Sequence, residues 1–129
     1  MRILIVDDDA AAARSLADLL LFYGHHVWTA GSAAEALRVG ETLCPEWVIT
    51  DIGMPEVSGL EAARLIRQTA WGARARLVAL TGWPAARANA RIQSAGFHAY
   101  LRKPADIQQV LALLEPASES QTASDALAD

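Results

Sequence analysis

Asp7, Asp8 and Asp9 stand in a row directly after one apolar run, and Asp51 ends another, Val48-Ile49-Thr50. Thr81 closes a third such run, and Lys103 follows a fourth. Carboxylates gathered in one cleft repel each other and take up protons unless a cation joins them. A hard divalent ion with oxygen ligands answers that need. Mg2+ requires only one or two carboxylates beside water and a phosphate oxygen, and Mn2+ is the alternative ion. A lysine adds a point charge for a carboxylate or a phosphoryl oxygen, and a threonine hydroxyl can donate to another. Carboxylates, metal, lysine and threonine together describe phosphoryl transfer with an acid as the nucleophile. Asp51 is the candidate, because its run breaks at once into Gly53-Met54-Pro55.

These residues are far apart in sequence, so the fold must bring them together. Arg2 to Val6 is β-branched without alternation, the mark of a strand buried on both faces. Leu16, Leu19, Leu20 and Tyr23 follow at helical spacing up to Gly24. His26 to Ala30 reads as a second strand, and Ser32-Ala33-Ala34-Glu35 as a capping box opening a helix that Pro45 closes. Trp47 to Asp51 is the third strand, and Ser58-Gly59-Leu60-Glu61 opens a helix to about Thr69. Leu77 to Leu80 is the fourth strand, and Ala85 to Ala95 a helix with Ile92 as its one large apolar anchor, stopped by Gly96. Ala99-Tyr100-Leu101 is the fifth strand, and Ile107, Val110, Leu111 and Leu114 form an i, i+3, i+4, i+7 stripe. Five strands alternating with five helices through short crossovers predict an α/β, doubly wound, five-stranded parallel sheet of flavodoxin-like (βα)5 type. The strand ends of such a sheet share one edge, where the acids, Thr81 and Lys103 would converge.

The 129 residues suit one domain with a real core. No apolar stretch approaches the length of a membrane helix, and the start has no signal-peptide layout, so a cytoplasmic protein without membrane contact is expected. The single Cys44 rules out an internal disulfide. It reads as a buried, inert thiol, since no His or Cys lies at a catalytic spacing. A net charge of −4 argues against direct nucleic-acid binding. Residues 1–115 carry the pattern, and residues 116–129 read as a flexible polar tail.

Ile3-Leu4-Ile5-Val6-Asp7-Asp8-Asp9, Thr50-Asp51-Ile52-Gly53-Met54-Pro55 with Ser58-Gly59-Leu60-Glu61, Ala79-Leu80-Thr81-Gly82 and Tyr100-Leu101-Arg102-Lys103-Pro104 resemble the receiver domain of two-component response regulators. Every motif is in order over roughly residues 1–115. The resemblance implies that Asp51 is the phosphoacceptor, fed from a phosphohistidine on a histidine kinase or phosphotransfer protein. It further implies Asp8 as a direct Mg2+ ligand, Asp7 as one acting through water, and the Gly53 carbonyl as another ligand. Thr81 and Lys103 would contact the phosphoryl group, and Tyr100 would be the aromatic switch that moves with Thr81. Lys103-Pro104 matches the family's usual cis peptide. By the same resemblance the domain is a signalling module, not an enzyme with an external substrate. It would speak to a downstream protein through its helix 4, strand 5 and helix 5 face. No output domain follows in this sequence, so a protein contact or a phosphorelay step is the expected output.

The sequence also departs from the family. Ser58 stands where Asp is usual, and Gly53 and Trp83 occupy the two positions that modulate phosphoryl lifetime. Blander readings exist for each residue: Asp7 and Asp8 as helix caps, Thr81 as a turn residue, Tyr100 as core. Asp9 is left as the cap, Arg67, Arg74 and Arg76 as a solvated rim, and Arg87 and Arg91 as a solvated face. Trp28, Trp47 and Trp71 are read as packing or surface anchors, and His25, His26 and His98 as structural or exposed. A haloacid-dehalogenase-type phosphatase would want an acid two residues after its nucleophile, where Gly53 stands. A dinucleotide binder would want a glycine-rich loop in place of Asp7-Asp8-Asp9. A receiver excised from a hybrid kinase or larger regulator, and a receiver-like module that is never phosphorylated, are the remaining alternatives.

Overall fold

In the computed structural model, described over residues 1–53, 58–82, 91–103 and 106–114, the chain alternates strand and helix throughout. The strands are β1 (Arg2–Val6), β2 (His26–Ala30), β3 (Trp47–Asp51), β4 (Arg76–Thr81) and β5 (Ala99–Arg102). The helices are α1 (Ala10–Phe22), α2 (Ala33–Leu43), α3 (Gly59–Arg67), the helical residues 91–94 taken as α4, and α5 (Ile107–Leu114). All five strands are parallel in the order β2-β1-β3-β4-β5, the flavodoxin-like arrangement expected from the sequence. Its switch point lies between β1 and β3.

The central strands are apolar on both sides because both faces are covered. Ile3, Ile5, Ile49, Val78 and Leu80 pack with Ala13, Ala17 and Leu20 of α1 and Val110 and Leu114 of α5. Leu4, Val6, Val48, Leu77 and Ala79 pack with Ala33 and Ala36 of α2, Ala62, Ala63 and Ile66 of α3, and Ile92 of α4. Alanine dominates the helical side of this second layer, so those helices lie close to the sheet. Each fully buried Ile or Leu contributes about 2–3 kcal/mol, and the seam between the layers is the sheet that carries the acids.

Local chemistry sets the ends. The Asp9 carboxylate accepts from the Ala12 N–H and starts α1, as expected. Ser32 and Ser58 accept from the N–H of Glu35 and Glu61 at the starts of α2 and α3. The return half of each capping box differs. Glu35 accepts from the Gly31 N–H at 2.8 Å, and Glu61 pairs with Arg64. Gly24 and Gly96 take positive φ where α1 and α4 turn back.

Two expectations are corrected. Cys44 is exposed, not buried. It ends α2 in the left-handed conformation, φ 47°, and that turn carries its side chain outward. Nor do Arg67 and Arg76 belong to a solvated rim. Arg67 donates to the carbonyls of Gly96, Gly72 and Ala75, the shortest contact being 2.6 Å. Arg76 opens β4, with its guanidinium over the Trp47 ring, 5.4 Å from the centroid. Arg74 remains exposed. Met54, Pro55, Trp83, Pro84, Arg87, Pro104 and the tail from 115 onward lie outside the described residues, as does the expected cis peptide.

Candidate functional site

β1, β3 and β4 are adjacent and parallel, with Val6 opposite Thr50 and Asp51 opposite Leu80. Their carboxyl ends therefore share one edge of the sheet, and the next residues leave it together. Asp7 follows β1, Asp51 ends β3, Thr81 ends β4, and Lys103 follows β5. The fold brings together Asp7, Asp8, Asp51 and Lys103, four of the residues singled out from the sequence, and sets Thr81 at the end of the neighbouring strand.

Asp51 is 6% exposed, and its Oδ1 accepts from Lys103 Nζ at 2.9 Å and from the Gly53 N–H at 3.1 Å. The lysine side chain is 41% exposed against 8% for the aspartate, so a buried carboxylate is met by a cation reaching in from solvent. Lys103 is held in turn by its own N–H, which donates to the Thr81 carbonyl at 2.8 Å. Thr81 is buried. Gly53 is exposed, and the Gly59 N–H donates to the Ile52 carbonyl at 3.0 Å.

One carboxylate oxygen each from Asp7, Asp8 and Asp51 lies within 4.8 Å of the others. Asp7 and Asp51 are buried and Asp8 exposed. Asp7 Oδ1 also accepts from the Asp9 N–H at 2.9 Å. Burial pushes the Asp7 pKa up, and the Asp51 carboxylate adds to the rise. The Asp9 amide and the Lys103 charge pull the other way. Acids crowded in this way are relieved by a hard cation that takes oxygen ligands. The donor set, three carboxylates with the backbone at Gly53 close by, fits Mg2+ in chemistry.

Tyr100 is half-buried against the α2–α3–α4 layer and sits beside Ala79 in the β4–β5 ladder. Trp83, expected to flank the site, lies outside the described residues. The sequence set Arg67 on a solvated rim, whereas it joins the end of α3 to the turn after α4, and it gave Gly59 only a capping context. An arginine whose partners are all backbone carbonyls leaves no pattern in a sequence. No helix among the described residues is long and apolar enough to cross a membrane.

Comparison with known proteins agrees with this geometry. The family model described as "Response regulator receiver domain" matches residues 3–115. The chain is 36% identical over 112 residues to "Response regulator MprA" of Mycobacterium avium (strain 104), covering 87% of this chain and 48% of that protein. It thus spans about half the length of the curated relatives it matches first. The chemotaxis response regulator CheY4 of Vibrio cholerae superposes with TM-score 0.81 at 24% identity, over 88% of this chain and 94% of that one, a likeness of fold. A response regulator from Burkholderia pseudomallei, solved with a phosphorylated aspartic acid, calcium ion and citrate, superposes with TM-score 0.81 at 27% identity, over 99% of this chain and 74% of that one. Strand order, acid cluster and family match converge, and the chain belongs to the response regulator receiver domains, the CheY-like signalling modules of two-component systems.

Proposed function

We propose that Asp51 accepts a phosphoryl group from a phosphohistidine on a histidine kinase or phosphotransfer protein, with Mg2+ held by Asp8, Asp51, the Gly53 carbonyl and, through water, Asp7. The observation that carries this reading is the buried Asp51 carboxylate, clamped by Lys103 and the Gly53 N–H beside two further acids. The phosphorylated aspartic acid and calcium ion of the Burkholderia pseudomallei relative support it by analogy.

In the transfer, a carboxylate oxygen of Asp51 attacks phosphorus in line as the P–N bond breaks. The electron pair passes to the imidazole nitrogen, and an acyl phosphate remains on the protein. Bound Mg2+ would supply positive charge to the transferring oxygens. The chain's own residues do the rest. Lys103, already 2.9 Å from Asp51, exchanges a carboxylate oxygen for a phosphoryl oxygen. The Thr81 hydroxyl would reach a second phosphoryl oxygen. Gly53 leaves the flank of the site bare, and a Cβ there would sit 3.8 Å from Asp51 Oδ1, an ordinary contact. Water access on that side, set by Gly53 and Trp83, then governs phosphoryl lifetime.

The signal would leave by a population shift in which Thr81 and Tyr100 move together and change the α4–β5–α5 face. Its recipient is a protein, or the phosphoryl group passes on in a relay. Residues 1–115 act as the receiver unit and 116–129 as a polar tail. The test is titration with beryllofluoride and Mg2+, followed by tryptophan fluorescence. Wild type should respond only with both present, and Asp51→Asn should not respond. A response equal in both proteins would overturn the assignment, and silence in both would leave a phosphorylation-independent interaction module.

A further inference from the structure

We infer that Gly59 is a positioning residue for the phosphoacceptor site, its lack of a side chain seating the start of α3 directly on the Asp51–Ile52 peptide. The inference rests on the function proposed above. A Cβ at position 59 would overlap the Asp51 carbonyl oxygen, and would lie 2.7 Å from Ile52 Cα and 3.0 Å from the Asp51 carbonyl carbon. All three atoms are backbone, so no rotamer change relieves the clash. Gly59 has no positive φ, so glycine is required here by closeness and not by conformation.

The strand side of this contact is anchored to β4. The Ile52 N–H donates to the Leu80 carbonyl at 3.0 Å, and Asp51 lies opposite Leu80 in the β3–β4 ladder. What must give is the first turn of α3, and with it the Gly59 N–H···O bond to Ile52. That bond ties Gly59 to Ile52, the residue before Gly53, whose N–H holds Asp51 Oδ1 at 3.1 Å. A methyl group at 59 would therefore break that bond, press on Ile52, the residue between Asp51 and Gly53, and loosen one of the two restraints on the Asp51 carboxylate. Groups that orient ligands from behind in this way commonly govern metal affinity.

Gly40 and Gly72 provide controls. A Cβ at either would overlap a neighbour as severely, the Trp71 ring for Gly40 and the Ile66 carbonyl for Gly72. Both lie outside the acid cluster. The experiment compares wild type, Gly59→Ala, Gly40→Ala and Gly72→Ala by Mg2+ titration and by amide hydrogen exchange at Gly53. Measurements are made with and without a stabilising osmolyte, which restores folded population but does not repair local geometry. Gly59→Ala should bind Mg2+ about ten- to hundred-fold more weakly than wild type and lose exchange protection at Gly53, with both defects persisting in osmolyte. The two controls should bind Mg2+ as wild type once folded. Equal Mg2+ affinity in Gly59→Ala and wild type, or a loss shared by all three variants, would overturn the inference. If wild type itself bound no Mg2+, the metal reading would fail, and protection at Gly53 would still decide the role of Gly59.

Discussion

Asp7 and Asp51 share a site because two buried acids meet a single lysine, and the balance should be visible in pH dependence. Burial raises the pKa of Asp7, with Asp51 adding to the rise. The folded state therefore holds the Asp7 proton more tightly than the unfolded chain, whose ordinary value is 3.8. The stabilisation is complete below that value and is lost as pH climbs through the raised folded pKa. In EDTA, thermal melts of wild type should fall across that window, and those of Asp7→Asn should fall less. Adding Mg2+ at neutral pH should raise the wild-type midpoint, and keep raising it with the logarithm of Mg2+ concentration beyond saturation; a wild-type midpoint indifferent to Mg2+ would count against the acid cluster as a metal site. Gly53 belongs to the same scale. Gly53→Leu should lengthen phosphoryl lifetime several-fold, by covering the bare flank of Asp51 against water, read as the decay of phosphorylated protein after donor removal. An unchanged decay would remove Gly53 as a lifetime determinant.

At the scale of elements, α3 is tied to the rest of the molecule at both ends. Its start abuts the end of β3, and its last residue, Arg67, gathers the carbonyls of Gly72, Ala75 and Gly96. Arg67→Met keeps much of the stem packing but leaves those carbonyls without their donor, a loss on the order of 3 kcal/mol, measurable by urea denaturation. Arg67→Lys should recover only part of it, because one ammonium cannot reproduce the planar fork. Trp71 shows the opposite balance. Its ring packs over Gly40 of α2, and its indole N–H is buried with no hydrogen-bond partner among the described residues. Trp71→Phe should therefore be close to neutral, whereas Trp71→Ala should cost about 3–5 kcal/mol. Neither tie was legible in the sequence. The five strands were, because β1, β3 and β4 are uninterrupted apolar runs, and so was the Asp9 cap. Arg67 carries no such signal, since its partners are carbonyls that every residue owns. Cys44 misled for a related reason: thiols are usually buried, and only the left-handed turn ending α2 turns this one outward.

Across the whole molecule, the parallel sheet is what converts scattered residues into a site. That Asp7, Asp8, Asp51 and Lys103 would meet was readable from their places after apolar runs, since a parallel sheet sends all such ends to one edge. Their mutual geometry was not readable, because the 2.9 Å contact between Lys103 and Asp51 depends on the register of β3, β4 and β5 together. The same architecture gives the molecule two layers with different tasks. The α1–α5 layer is built on large aliphatic residues, and the α2–α3–α4 layer is rich in alanine and holds Tyr100 at its margin. All of this depends on Asp51 being the acceptor. The most direct measurement is intact-protein mass spectrometry after incubation with acetyl phosphate and Mg2+, with peptide mapping of the product. Wild type should gain one phosphoryl group at Asp51, lost in EDTA, and Asp51→Asn should gain none. A phosphoryl group mapped to another residue, or an equal gain in Asp51→Asn, would contradict the account.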